Sequence, residues 1–136
     1  MANYYASCRS NYFKVKDEDA FILAMSEIPG IEVSQEANDT FCLLGGDPDG
    51  AGWPSWVQDD DGKDIEIDLP LEVSKYLADG EVAIFMESGA EKLRYVVGYA
   101  VAINSQGEQV SIGLNDIYDM ARGLTDRPQD VTVAEY

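Results

Sequence analysis

One strand pattern constrains the fold more than any other feature of the sequence. In residues 93–103 the odd-numbered positions carry large apolar or aromatic side chains, and the opposite face carries the small residues Gly98, Ala100 and Ala102. Both faces are largely apolar, which is typical of a strand with neighbours on both sides. The small face would let helices approach the sheet closely, so the pattern predicts a helical layer on that face.

Two shorter apolar runs flank this strand. Residues 82–86 precede it and residues 109–112 follow it, with turn-forming residues at 88–91 and 105–108 between them. Segments separated by such short turns pair most readily as antiparallel neighbours. Residues 81–113 are therefore predicted to form a three-stranded antiparallel meander.

Three other stretches carry the signals of helices, namely a capping residue, an apolar repeat at helical spacing and a glycine or proline stop. The predicted caps are Asp17, Asp68 or Leu69, and Asn115, and the predicted ends lie at Pro29, Gly80 and Gly123. Further strand patterns lie at residues 4–16, 31–34 and 40–44. Together these elements predict an α+β fold, a mainly antiparallel sheet with about three helices packed on it. The tail at residues 125–136 is predicted to add an edge strand or to stay mobile.

Length and apolar content set the size of the core. The chain has 136 residues, of which 46% are hydrophobic, so one domain spanning residues 1–136 is expected to fold alone. No apolar run of about 18 residues and no secretory signal is seen, which predicts a cytoplasmic protein without a membrane partner. In that compartment Cys8 and Cys42 are expected to be reduced and partly buried, with a disulfide as the alternative.

The charge balance limits the class of partner. With 9 basic and 26 acidic residues the net charge is −17. Direct binding to nucleic acid is not expected, because lysine and arginine must replace the counterions of the phosphates. A protein partner with a basic surface is expected instead. The alternative is that the acidity serves only solubility or reflects a salty environment.

The middle of the chain holds two tryptophans in an acidic loop. Trp53 and Trp56 enclose a proline within residues 45–63, which are otherwise rich in glycine and aspartate. Tryptophan is enriched among the residues that dominate binding energy at interfaces, and it attracts lysine and arginine through its ring face. We therefore predict that both tryptophans bind the partner. The alternative is that they pack back over the sheet.

Six acids follow these tryptophans. The predicted partner-binding carboxylates are Asp59, Asp60, Asp61, Asp64, Glu66 and Asp68. The last three alternate with Ile65, Ile67 and Leu69, which predicts a half-buried strand with one acidic face. Acids on that face repeat at about 6.6 Å, or about two phosphate steps of one DNA strand. The spacing is compatible with mimicry of DNA.

The same acids match no metal site. In a calcium loop with Gly62 at the sixth position, Val57 would take the first ligand position and could not bind the ion. A zinc site lacks ligands, because the chain contains no histidine and only two cysteines. A solvated acidic turn is predicted, with no metal and no cofactor.

The absence of histidine also excludes most hydrolase designs. Neither a Ser-His nor a Cys-His pair can form, and no glycine-rich nucleotide-binding motif is present, since Gly45 and Gly46 are followed by Asp-Pro. A two-carboxylate glycosidase or a Mg²⁺-dependent phosphoryl transferase remains formally open. The sequence favours a protein that is not an enzyme.

The combination of small size, strong acidity, absence of histidine and acids spaced along a strand resembles the inhibitors that phages and mobile elements make against host defence. These include anti-CRISPR and antirestriction proteins, several of which mimic DNA. The segments YYASCRSNYFKVKD and GAEKLRYVVGYAVAINSQGE also look like parts of uncharacterised phage-encoded proteins. The resemblance implies a non-enzymatic inhibitor or decoy in the bacterial cytoplasm that occupies a cationic nucleic-acid groove of a nuclease or of another nucleic-acid-binding complex.

Other functions stay open at this point. They are an immunity protein for a basic toxin, a phage or plasmid housekeeping protein without such a partner, and, least favoured, a Mg²⁺-dependent enzyme. A homodimer is compatible with the sequence, which does not fix the oligomeric state.

Overall fold

A computed structural model describes residues 4–45, 52–91 and 95–134. In chain order the elements are β1 (Tyr4–Ser10), α1 (Glu18–Ser26), β2 (Ile31–Glu36), β3 (Thr40–Gly45), β4 (Trp56–Gln58), β5 (Asp64–Glu66), α2 (Leu69–Ser74), β6 (Val82–Glu91), β7 (Tyr95–Asn104), β8 (Gln109–Gly113) and α3 (Asp116–Arg122). Six strands form an antiparallel sheet in the order β2-β3-β1-β6-β7-β8, and β4 and β5 form a second small sheet. The predicted α+β class is confirmed. No helix in the described ranges is long and apolar enough to cross a membrane.

The C-terminal-half meander is present as predicted. Strand β7 pairs with β6 on one side and with β8 on the other, so it has neighbours on both sides. The second turn closes at Asn104, whose Oδ1 accepts the N–H groups of Gln106 and Glu108. The first turn was predicted too early, because β6 continues to Glu91. Its Ser88 and Gly89 are held in the ladder by β1 on the other side, which outweighs their low strand propensity.

Strand β1 joins the meander to the N-terminal hairpin. It pairs with β6 along its whole length and with β3 at Arg9 and Leu44. The β2–β3 hairpin confirms the strands predicted at residues 31–34 and 40–44 and turns through a short 3₁₀ segment, Ala37–Asp39. The strand predicted over residues 4–16 is shorter than expected, because it ends at Ser10 and continues only as isolated bridges.

The core lies on one side of the large sheet, beneath α1 and α2. Its centre is the ring of Phe21, which packs edge-on against Phe13 at 5.8 Å and Phe41 at 5.3 Å between ring centroids. The buried residues of this cluster are Phe13, Phe21, Met25, Ile28, Phe41, Leu43, Leu69, Val73, Leu77, Ala83, Phe85 and Ile103. Each fully buried phenylalanine contributes roughly 1.5–3 kcal/mol of burial free energy.

The first two helices begin where the sequence predicts. Asp17 caps α1 by accepting the N–H of Ala20 at 3.1 Å, and Asp68 caps α2 by accepting the N–H of Leu71 at 3.2 Å. Not every apolar residue of these two helices is buried. Ile22 and Leu71 point to solvent, because α1 and α2 are short and bury a narrow stripe.

The helices pack on the face opposite to the one predicted. Helix α2 packs against β6 and β7 on the side of Phe85 and Ile103, which are buried. The small-residue face of Gly98 and Ala100 is open instead, and it lines a shallow cavity of about 590 Å³. Large side chains give the helices more apolar area to bury than alanine and glycine can, so the large face became the core.

Helix α3 differs from the other two. It begins after Asn115 as predicted, but Asn115 makes no side-chain capping bond, and none of the residues of α3 is buried. Instead, Asp116 accepts the backbone N–H of Gly113 at 2.7 Å. The tail contains a 3₁₀ turn, Pro128–Asp130, and the predicted edge strand is absent from residues 125–134. Residues 135–136 of the predicted tail lie outside the described residues.

Candidate partner-binding site

The predicted acidic segment folds into the β4–β5 hairpin. Its turn is organised by Asp59, whose Oδ1 accepts the backbone N–H groups of Asp61 and Lys63, both at 2.9 Å. Gly62 adopts a φ of +79°, which residues with side chains rarely adopt. Asp59 therefore shapes the turn through its own side chain. Residues 46–51 of the predicted loop lie outside the described residues.

The hairpin has one outward and one inward face. Trp56 pairs with Glu66 and Gln58 pairs with Asp64, and residues opposite each other in antiparallel strands point to the same side. Val57, on the other face, packs against the core. The outward face therefore combines an indole that is 56% exposed with two exposed carboxylates on the neighbouring strand.

The carboxylates of this face are not neutralised by side chains of the described residues. Ion pairs within the described ranges join Lys75 to Glu72, Arg122 to Asp119 and Arg127 to Asp130. None of these pairs includes an acid of the hairpin. Asp60 and Asp61 are exposed at the turn and extend the same negative surface. The hairpin therefore presents a negative potential to a partner.

The third acid of the predicted row has a different role. Strand β5 ends at Glu66, and the side chain of Asp68 is engaged as the cap of α2. Ile67 packs against the core and Leu69 is buried, as the alternation predicts, but Ile65 is 45% exposed. The row of three acids is thus a pair on the strand, followed by a capping residue.

Trp53 lies in a different environment from Trp56. Its ring packs edge-on against Phe85 at 5.5 Å between centroids, and its Nε1–H donates to the backbone oxygen of Met86 at 3.2 Å. Its backbone N–H donates to Glu87 Oε1 at 2.7 Å. Trp53 thus packs back over the sheet, whereas Trp56 offers its ring to solvent.

The sequence interpretation missed a polar cluster beneath Trp53. Glu87 is buried on the inner face of β6, and its Oε1 accepts bonds from the Tyr99 hydroxyl at 3.0 Å and the Cys8 thiol at 3.7 Å, besides the N–H of Trp53. A side chain at Gly52 would overlap the Glu87 carboxylate. The available signal was the alternation of β6, which places position 87 on the same face as Phe85 and so predicts a carboxylate facing inward.

This cluster does not supply a reactive thiol. Burial, together with the charge and hydrogen bond of Glu87, raises the pKa of Cys8 to about 12. Burial and Glu87 also raise the pKa of Tyr99. Since the thiolate is the nucleophile, Cys8 is unreactive near neutral pH. Cys8 and Cys42 are both free and at least partly buried, as predicted.

The arrangement of the described acids does not point to metal binding. Within the ranges that the structure describes, no group of three or more histidine, cysteine, aspartate or glutamate side chains is placed to hold a metal ion. Asp59 directs one carboxylate oxygen to the backbone of its own turn. What the hairpin can do chemically is attract and hydrogen-bond cationic groups.

No family model, no curated protein and no solved structure matches this chain.

Proposed function

We propose that this protein is a non-enzymatic acidic inhibitor or decoy whose β4–β5 hairpin binds a basic, nucleic-acid-binding surface of a host defence protein. One observation carries the proposal, namely the composition of the outward face of the hairpin. On this face the exposed ring of Trp56 lies beside the carboxylates of Asp64 and Glu66. Neither carboxylate takes part in an ion pair within the described ranges. A net charge of −17 supports the same choice of partner.

The physical basis is charge complementarity with one aromatic anchor. Asp64 and Glu66 are two residues apart on one strand, which sets their spacing at about 6.6 Å, close to two phosphate steps of DNA. Carboxylates at this spacing can occupy lysine and arginine side chains that otherwise bind phosphates. Both surfaces release counterions on contact, which favours binding entropically. The Trp56 ring adds a cation–π contact and apolar burial.

The proposed target class is a nuclease complex of the restriction or RNA-guided type, and the proposed mechanism is DNA mimicry. Because Asp68 caps α2, the mimicking set on β5 consists of two carboxylates, extended at the turn by Asp60 and Asp61. Mutations of the strand pair therefore test binding without removing a helix cap.

The test uses a panel of purified bacterial restriction endonucleases and RNA-guided nucleases, with DNA binding and DNA cleavage as readouts. We expect inhibition of a panel member that weakens steeply with added salt and is relieved by excess target DNA. The variant Asp64→Asn/Glu66→Gln should bind up to about 30-fold more weakly, because two exposed ion pairs contribute up to about 1 kcal/mol each, or about 2 kcal/mol together.

The matched control is Glu27→Gln/Glu32→Gln, which removes the same two charges at exposed positions away from the hairpin. It should inhibit nearly as well as the wild type. Equal loss in both variants would show that only net charge matters. A complex that ignores salt and binds DNA at the same time would refute mimicry, and absence of inhibition across the panel would refute the proposed target class.

A further inference from the structure

A second surface, on the other side of the sheet, is apolar and open. The β8–α3 surface consists of residues whose side chains are 51% to 89% exposed, namely Val110, Ile112, Leu114, Ile117, Met120 and Leu124. Leu114 lies against Gly98 on the open face, so the sheet part and the helix part are continuous. Ile117 and Met120 are three residues apart and therefore lie on one side of α3, and Leu124 lies two residues beyond the end of that helix.

This surface is not explained by the fold of one chain. Helix α3 has seven residues and buries none of them, whereas isolated helices shorter than about 12 residues are marginal in water.

The two edges of the large sheet differ in charge, because β2 contains Glu32 and Glu36 and β8 contains no charged residue. A two-fold axis requires the same strand to be complementary to its own copy. At the β2 edge, an axis at Ser34 would place Glu32 opposite the second copy's Glu36, and like charges directly opposite are destabilising. At the β8 edge, an axis at Ser111 would place Val110 opposite the second copy's Ile112, and this strand contains no charged residue.

We propose that a second copy of this chain docks on the β8–α3 surface, with the two β8 strands paired antiparallel about a two-fold axis at Ser111. The pairing would extend the sheet across both chains. It would also place the two apolar surfaces next to each other. Because β8 itself contains no charged residue, the paired strands would add no like-charge contact between two chains that each carry a charge of −17.

The backbone groups of β8 point in the directions that this pairing needs. The bonds from Leu114 N to Gly98 O and from Asn104 N to Glu108 O direct the even-numbered residues toward β7. Since ladder bonds alternate, Ser111 directs its N–H and C=O to the open edge. The two Ser111 residues would exchange both of their backbone bonds. Gln109 would lie opposite Gly113 of the second copy, whose N–H is already bonded to Asp116, so only the Gln109 N–H would bond there, to the Gly113 carbonyl.

The first test is the mass of the purified protein by light scattering or sedimentation across a concentration series. We expect about 30 kDa, twice the 14.9 kDa of one chain. Val110→Lys/Ile112→Lys should give a folded monomer, because both side chains are exposed in one chain and charge is disfavoured at the paired edge. The matched control Ile22→Lys/Leu23→Lys changes two exposed apolar residues of α1 and should leave the dimer intact.

The second test is a cross-link at the proposed axis. Residues in a hydrogen-bonded antiparallel pair have Cα atoms about 5.5 Å apart, within the range of a disulfide. Ser111→Cys should therefore oxidise to a covalent dimer, whereas Ser34→Cys at the β2 edge should not. A monomeric wild type at about 0.5 mM, a dimer that survives Val110→Lys/Ile112→Lys, or equal cross-linking of the two cysteine variants would overturn the proposal.

Discussion

The two tryptophans of the acidic segment should respond oppositely to truncation. Trp53 packs on Phe85 and donates its Nε1–H to Met86, and it belongs to the side chains that pack against the core. Trp56 is 56% exposed on the outward face of the hairpin. We therefore expect Trp53→Ala to reduce folding stability and Trp56→Ala to leave it nearly unchanged.

The magnitude for Trp53 follows from its contacts. Truncation of a buried tryptophan costs about 3–5 kcal/mol, and Trp53 is only half-buried, which places the expected loss at the lower end, about 3 kcal/mol. Of this, the edge-on ring pair accounts for about 1 kcal/mol and the Nε1 hydrogen bond for about 1 kcal/mol. An unfolding entropy of about 2.1 cal/mol/K per residue over 136 residues converts the loss to a fall in Tm of about 10 °C.

The assay is urea unfolding followed by circular dichroism, with thermal melts of the same samples. Trp53→Phe is the graded control, because it keeps an aromatic ring against Phe85 but lacks the Nε1 donor, so it should lose less than Trp53→Ala. Trp56→Ala should change the free energy of unfolding by about 0.5 kcal/mol or less. Equal losses for the two alanine variants, or a loss under about 1 kcal/mol for Trp53→Ala, would refute this assignment of the two indoles.

Two further results are expected. Asp68→Ala should lower the free energy of unfolding, measured with urea, by about 1 kcal/mol, because it removes the cap of α2. Asp68→Asn can still cap the helix and should lower it much less. Equal losses for the two variants would contradict the capping role. The free energy of unfolding should also fall as the pH rises from about 9 toward 12. The unfolded chain releases the Cys8 proton near the ordinary thiol pKa of 9.0, whereas the folded protein holds it to about 12, and the raised pKa of Tyr99 adds to the fall. Urea titrations at about pH 8 and about pH 11 should show a smaller fall for Cys8→Ala/Tyr99→Phe than for the wild type, and equal falls would contradict the assignment.

The elements that the sequence predicts well are those specified by neighbouring residues. Alternation over residues 93–103 and the turn at Asn104 are local properties, and they identified β7 and the β7–β8 connection. The caps at Asp17 and Asp68 are equally local, because each side chain bonds to a backbone N–H three residues later. Such signals depend on chain geometry and not on the rest of the fold.

The side of the sheet that receives the helices is not a local property. Strand β7 is apolar on both faces, so its own pattern permits a helical layer on either side. The choice depends on distant residues. Phe41 and Leu43 of β3 bury their side chains on the same face as Phe85, and α1 and α2 fill the space above them. A prediction from the β7 residues alone therefore placed the helices on the wrong face.

The candidate site was predicted in part for the same reason. The acidic turn and the outward position of Asp64 and Glu66 follow from the alternation of one short strand. The separation of Trp53 from Trp56 depends on the buried Glu87, which lies 34 residues after Trp53 in the chain. No local pattern connects those two positions, so the sequence could assign both tryptophans only to one shared role.

The large sheet separates the two proposed contacts. Val57 and Ile67 anchor the acidic hairpin on the inner side, with α1 and α2, whereas the β8–α3 surface belongs to the open side and the far edge. Self-association through β8 would therefore leave both hairpins free, and a dimer would present two acidic faces to its target. Two linked sites bind a target with two basic surfaces more tightly than one site does, provided that the geometry lets both engage. Val110→Lys/Ile112→Lys should then weaken inhibition of a dimeric nuclease while leaving the affinity of a single hairpin unchanged. Asp64→Asn/Glu66→Gln should weaken both the inhibition of the dimeric nuclease and the affinity of a single hairpin, because it removes carboxylates that contact the target.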